Sequence, residues 1–82
     1  MKIPRDLSSK EFIKLLNKID YFESRQSGSH IRLTKTANNV SHHITIPNHN
    51  PIKTGTLNSI IKDISGHLEI SKDELLIKLF KK

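Results

Sequence analysis

Apolar residues along this chain follow two periods, and each switch between them marks an element. Phe12, Leu15, Leu16 and Ile19 recur at intervals of three and four, which predicts an amphipathic helix from Ser9 to about Ile19. Ser8-Ser9-Lys10-Glu11 just ahead of it has capping-box spacing, and Lys10, Lys14 and Lys18 share its solvated face. Lys2 to Asp6, with Pro4 among them, reads as an extended lead-in. From Tyr21 the period drops to two, and three strands are predicted: Tyr21 to Gln26, Ser29 to Lys35, and Val40 to Pro47. Ser27-Gly28 and Asn38-Asn39 supply the turns between them. Pro47 and Pro51 stop the third strand and bracket a short loop holding His49. Helical spacing then returns at Leu57, Ile60, Ile61, Ile64 and Leu68, opened by Thr54-Gly55-Thr56. Gly66 either ends that helix or is carried inside it at a cost of about 1 kcal/mol. Ser71-Lys72-Asp73-Glu74 forms a second capping box and starts a last helix striped by Leu75, Leu76, Leu79 and Phe80.

A two-residue loop at Ser27-Gly28 fixes a register for the first hairpin. It sets Arg25 opposite His30, Ser24 opposite Ile31, Glu23 opposite Arg32, and Phe22 opposite Leu33. Opposite charges then pair outside and apolar groups pair inside, as cross-strand neighbours favour. The core face of the sheet becomes Phe22, Ile31, Leu33, Ile44 and Ile46, and the helices need that surface. The expected architecture is α+β: one domain over residues 1–82, two layers, a helix, three antiparallel strands, a helix and a C-terminal helix. One sheet face stays uncovered, and His30, Arg25, Arg32, His43 and Thr45 project from it.

With 82 residues there is room for one core, and 34% hydrophobic with 27% charged residues is a globular composition. No apolar run is long enough to span a bilayer and no signal-peptide h-region opens the chain, so a cytoplasmic protein is expected. The absence of cysteine excludes disulfide and thiolate chemistry. Charge changes the picture more. The formal net charge is +6, and no acidic residue occurs between Glu23 and Asp63. That interval carries Arg25, Arg32, Lys35, Lys53 and Lys62 with four histidines, a concentration that suits a polyanionic partner.

Within it, Arg25 to Leu33 runs as a glycine turn into a strand whose polar face sets His30 beside Arg32. This is a candidate phosphate-handling site, although a solvent-facing strand histidine is most often an ordinary surface residue. His42-His43 and His49 lack a cysteine, a close carboxylate or a His-x-x-x-His spacing, which argues against a metal site, and no cofactor is expected. Tyr21 is the one aromatic expected to be free for base stacking.

Four segments resemble the HicA-type mRNA interferase toxins of bacterial toxin–antitoxin pairs. They are Pro4-Arg5-Asp6-Leu7-Ser8-Ser9-Lys10-Glu11, Arg25-Gln26-Ser27-Gly28-Ser29-His30, Ile46-Pro47-Asn48-His49 and Gly55-Thr56-Leu57. Their order and spacing, from about Pro4 to Phe80, carry the likeness. Ile19-Asp20 stands where that family has a glycine ending the first helix, and the last helix extends beyond its shortest members. The resemblance implies an αβββα fold like double-stranded-RNA-binding domains, cleavage of mRNA that arrests translation, a HicB-type antitoxin, and His30 as the catalytic residue.

Metal-free RNA cleavage needs a proton taken from a 2′-hydroxyl, charge stabilised on the phosphate, and a proton given to the leaving 5′-oxygen. Histidine, with an ordinary pKa near 6.5, suits the proton transfers. Arg25, Arg32 or Lys35 are expected to hold the phosphate and the Gly28 and Ser29 amides to receive developing charge. His43, expected on the same face, is the nearest candidate for the second proton carrier and an RNA contact. An antitoxin covering this face would present carboxylates to Arg25, Arg32 and Lys35. The alternative is a non-catalytic double-stranded-RNA-binding module using the same basic face. DNA binding ranks third, because no helix–turn–helix pattern leads into a basic recognition helix.

Overall fold

The computed structural model describes residues 6–81, so most of the expected lead-in, Lys2 to Arg5 with Pro4, lies outside the described residues. The element order is α1 (Ser9–Leu16), a 3₁₀ turn (Asn17–Ile19), β1 (Phe22–Ser27), β2 (His30–Ala37), β3 (Val40–Pro47), α2 (Thr54–Leu68) and α3 (Lys72–Phe80). The three strands form one antiparallel sheet with β2 in the middle. Helix, three strands and helix give the α+β arrangement of a double-stranded-RNA-binding domain, with α3 added.

Local chemistry explains where α1 and α3 start. The Ser8 hydroxyl accepts from the Glu11 amide while the Glu11 carboxylate accepts from the Ser8 amide, a complete capping box. Those bonds hold the Glu11 carboxyl below its ordinary pKa, the Ser8 side chain contributing most. At α3 the Ser71 hydroxyl accepts from the Glu74 amide. The first helix tightens into 3₁₀ geometry and ends at Asp20, whose φ of 69° is left-handed. Glycine takes that conformation without strain, and aspartate is among the few other residues that visit it. Gly66 is carried inside α2, which ends at a left-handed Glu69.

Leu33 and Ile46 from the sheet, Phe12 and Leu16 from α1, Ile61 and Ile64 from α2, and Leu75, Leu76 and Leu79 from α3 are fully buried in one cluster. All three helices therefore cover the same sheet face. Phe22 corrects the expected core: it is 53% exposed, and Tyr21 is fully buried in its place.

The cause is a β-bulge. The two-residue turn is Gly28-Ser29, with Gly28 at φ +57°, so Ser27 pairs with His30, Gln26 with Ile31 and Arg25 with Arg32. Ser24 is then an extra residue, and the ladder resumes with Glu23 opposite Leu33 and Phe22 opposite Thr34. One inserted residue reverses which side chains point inward from there on. The turn at Gly28-Ser29 rather than the expected Ser27-Gly28 replaces Glu23–Arg32 by Arg25–Arg32, and the bulge replaces Phe22–Leu33 by Phe22–Thr34. β2 and β3 pair without interruption, from His30–Pro47 to Ala37–Val40, across an Asn38-Asn39 turn with both φ values positive.

Candidate nucleic-acid interface

β2 is regular, so its alternation holds: Ile31 and Leu33 point into the core and His30, Arg32 and Thr34 point to the open face. Cross-strand partners extend that face to Ser27 and Arg25 on β1 and to Pro47, Thr45 and His43 on β3. Side chains at 30, 25, 32, 43 and 45 thus share one uncovered surface. Glu23, opposite Leu33, belongs to the other side.

Arg25 sits directly opposite Arg32. Like charges in that position repel and destabilise a sheet unless an anion lies between them. No acidic side chain reaches this face from the paired positions, so the two guanidiniums have no carboxylate there to neutralise them. Beside them is a shallow depression lined by Ser24, Arg25, Arg32, Thr34 and His43. His30 is exposed in the neighbouring row, about 7 Å along the strand from Arg32.

The turn leading to His30 is anchored from behind. The Asn48 amide donates to the Ser29 carbonyl at 2.6 Å, and the Asn48 side-chain oxygen accepts from the Ser9 hydroxyl at 2.8 Å. The Ser9 amide donates to the His49 carbonyl. The segment after β3 thus fastens the His30 turn to the first turn of α1, and the exposed His49 contributes its backbone to that fastening.

His43 is oriented by a chain of hydroxyls. The Ser24 hydroxyl donates to the Arg32 carbonyl, and its oxygen lies 2.8 Å from that of Thr34, which lies 2.8 Å from His43 Nδ1. Ser24, Thr34 and His43 Nδ1 thus form one hydrogen-bonded row on the open face. His30 and His43 stand four residues apart along the sheet, about 13 Å. Thr34 holds His43 in its own row, two rows from that of His30.

Lys35 points away from this face. Its ammonium donates to the Ile19 carbonyl at 2.8 Å, lies 3.8 Å from Asp20 and sits over the Tyr21 ring. It closes the end of the first helix rather than joining Arg25 and Arg32. Tyr21, expected to be free for stacking, donates its hydroxyl to His42 Nδ1 at 2.6 Å, and His42 Nε2 lies 3.3 Å from Asp63. Burial, and after it the Asp63 carboxylate, push the Tyr21 phenol up to about 12. His42 also stacks on His67, ring centres 4.1 Å apart. His42 and His43, adjacent in sequence, lie on opposite faces, and among the described residues no His, Cys, Asp and Glu side chains gather into a metal-holding group.

Sequence reasoning missed Phe22, Ser24, Thr34 and Asn48. No side-chain property of the first three signals a bulge, whereas Asn48 lay within a segment singled out for another reason.

Compared with known families, residues 9–65 match the HicA toxin of bacterial toxin–antitoxin systems. No curated protein and no solved structure gives a significant match. No described helix is long and apolar enough to cross a membrane.

Proposed function

Because this chain belongs to the HicA toxin family of bacterial toxin–antitoxin systems, we propose that it is a metal-independent endoribonuclease that cleaves mRNA on the open sheet face. The observation that carries this reading is the unneutralised Arg25–Arg32 pair next to an exposed His30. The two guanidiniums hold the phosphoryl oxygens, and the paired charges that cost stability in the free protein become favourable contacts when an anion enters. His30 takes the proton of a 2′-hydroxyl. The 2′-oxygen attacks phosphorus, the bond to the 5′-oxygen breaks, and a 2′,3′-cyclic phosphate remains while the leaving oxygen acquires a proton. The Gly28 and Ser29 amides, in the turn beside His30, receive charge developing on the phosphate in this reading. DNA lacks the attacking hydroxyl and survives.

A toxin of such a pair has an antitoxin partner. In this reading the partner is a HicB-type protein working in the cytoplasm. It covers the His30 face and sets carboxylates against Arg25 and Arg32, while Lys35, turned to the other side, takes no part.

The fold favours one other reading, a module that binds double-stranded RNA by shape and does not cut it. Incubating the chain with RNA in EDTA separates the two. Cutting that falls about 10²–10⁴-fold in His30→Ala, with melting unchanged, is expected. Intact RNA with the native chain refutes the ribonuclease reading and leaves the binding module.

A further inference from the structure

We infer that the open face is a track for single-stranded RNA, with one base stacked on Phe22 beside His43 and a neighbouring phosphate on Arg25 and Arg32. This rests on the ribonuclease reading and specifies its substrate class. The bulge at Ser24 is what turns Phe22 outward, to 53% exposure, in the row shared with Thr34 and His43. Phe22 and His43 stand one strand to either side of Thr34, about 9.5 Å apart at the backbone. Between them the floor is made of the short Ser24 and Thr34 side chains. The depression lined by Ser24, Arg25, Arg32, Thr34 and His43 lies in and beside this row, with the exposed Phe22 in the same row and His43 held by Thr34.

Charge selects the occupant. The adjoining row is the Arg25–Arg32 pair, so a ligand that fills both rows needs a π-face and an anion side by side. A nucleotide has both. Val40 and Ile77 are comparably exposed, but neither is aromatic. Strand form follows from the same geometry. Bases inside a duplex are stacked on one another, and only an unpaired base can lie on a protein ring. His30 lies about 13 Å from the Phe22–His43 row along β2, so the reacting phosphate is on a nucleotide beyond the stacked one.

Binding is measured with the full chain carrying His30→Ala, so that the RNA stays intact, using a labelled single-stranded oligonucleotide and a duplex of the same sequence. Adding Phe22→Ala is expected to weaken single-strand binding roughly 5- to 100-fold, leaving duplex binding and the melting temperature unchanged. Phe22→Trp is expected to keep the affinity and, in a chain with no other tryptophan, to lose fluorescence as RNA saturates it. Single-strand binding within twofold in Phe22→Ala, or tryptophan emission unmoved at saturation, overturns the inference, as does an absence of single-strand binding by the His30→Ala chain. Cleavage is scored separately with His30 restored. Loss of stacking with cutting retained refutes the track alone, and stacking without cutting refutes the ribonuclease reading alone.

Discussion

Replacing Arg25 with glutamate should make the protein more stable and less able to bind RNA. Arg25 and Arg32 are directly opposed on adjacent strands and both are solvent-exposed. A favourable charge pair in that position contributes roughly 0.2–1 kcal/mol, and a repulsive pair costs a similar amount. Changing one sign removes the cost and adds the gain, so Arg25→Glu is expected to stabilise by about 1 kcal/mol. For a domain of this size that is roughly 4–8 °C in Tm. Arg25→Ala removes only the repulsion and should give about half the shift. Because the pair is exposed, the difference should shrink in 1 M salt, where the screening length falls to about 3 Å. RNA affinity moves the other way. Losing a charge-assisted phosphate contact costs about 1.5–3 kcal/mol, a roughly 10- to 100-fold weaker Kd. The slope of log K against log salt should flatten by about 0.7 for the lost contact. Thermal melts at 0.05 M and 1 M salt, with a binding titration on each variant, test both halves. A variant that melts at or below the native temperature in low salt refutes the argument that the pair is strained. Unchanged RNA affinity refutes the argument that the strain serves an anion.

Two further outcomes follow from hydrogen bonds within the fold. The chain has one tyrosine, so its phenolate absorbance can be titrated directly; the midpoint should lie near 12 in the folded protein and near 10 in denaturant. Since the folded value is raised, the neutral phenol's contribution is full below about pH 10 and is lost as pH climbs toward 12, and an ordinary midpoint in the folded state would contradict Tyr21's burial. Asn48→Ala removes the acceptor for the Ser9 hydroxyl and should cost about 1 kcal/mol. RNA cleavage should fall more than that loss of stability explains, because the His30 turn is loosened; a rate equal to native at full folding would show that the tie has no role at the site.

The helices, the strand Val40 to Pro47 and the open-face placement of His30 and Arg32 were legible in the sequence, and for one reason. Each depends on an unbroken period or on a cap whose residue types have a direct bonding role, such as Ser8 with Glu11. β2 sits in the middle of the sheet with partners on both sides, so nothing interrupts its alternation. β1 is an edge, and an edge strand can absorb an extra residue at little cost. A period-two reading of Tyr21 to Gln26 has no means of detecting it, because Ser24 is an unremarkable strand residue. That single insertion exchanged the roles of Tyr21 and Phe22, while the turn, one residue later than the Ser27-Gly28 spacing implies, put Arg25 opposite Arg32 in place of Glu23. Lys35 differs. Its charge suits the basic face, but its strand position turns it toward the end of the first helix, where it donates to the Ile19 carbonyl.

The irregularity at Ser24 also changes what the outer edge of the sheet offers to another strand. An outer strand normally offers a row of unmet amides and carbonyls on which a second chain can build a continuous sheet. Here the spacing breaks midway, with Glu23 and Arg25 on either side of the break. An incoming strand in register with one half is out of register with the other and must accommodate both charges. Extension of the sheet across this margin is therefore disfavoured, and the same residue that turns Phe22 to the open face also blunts the edge of the sheet.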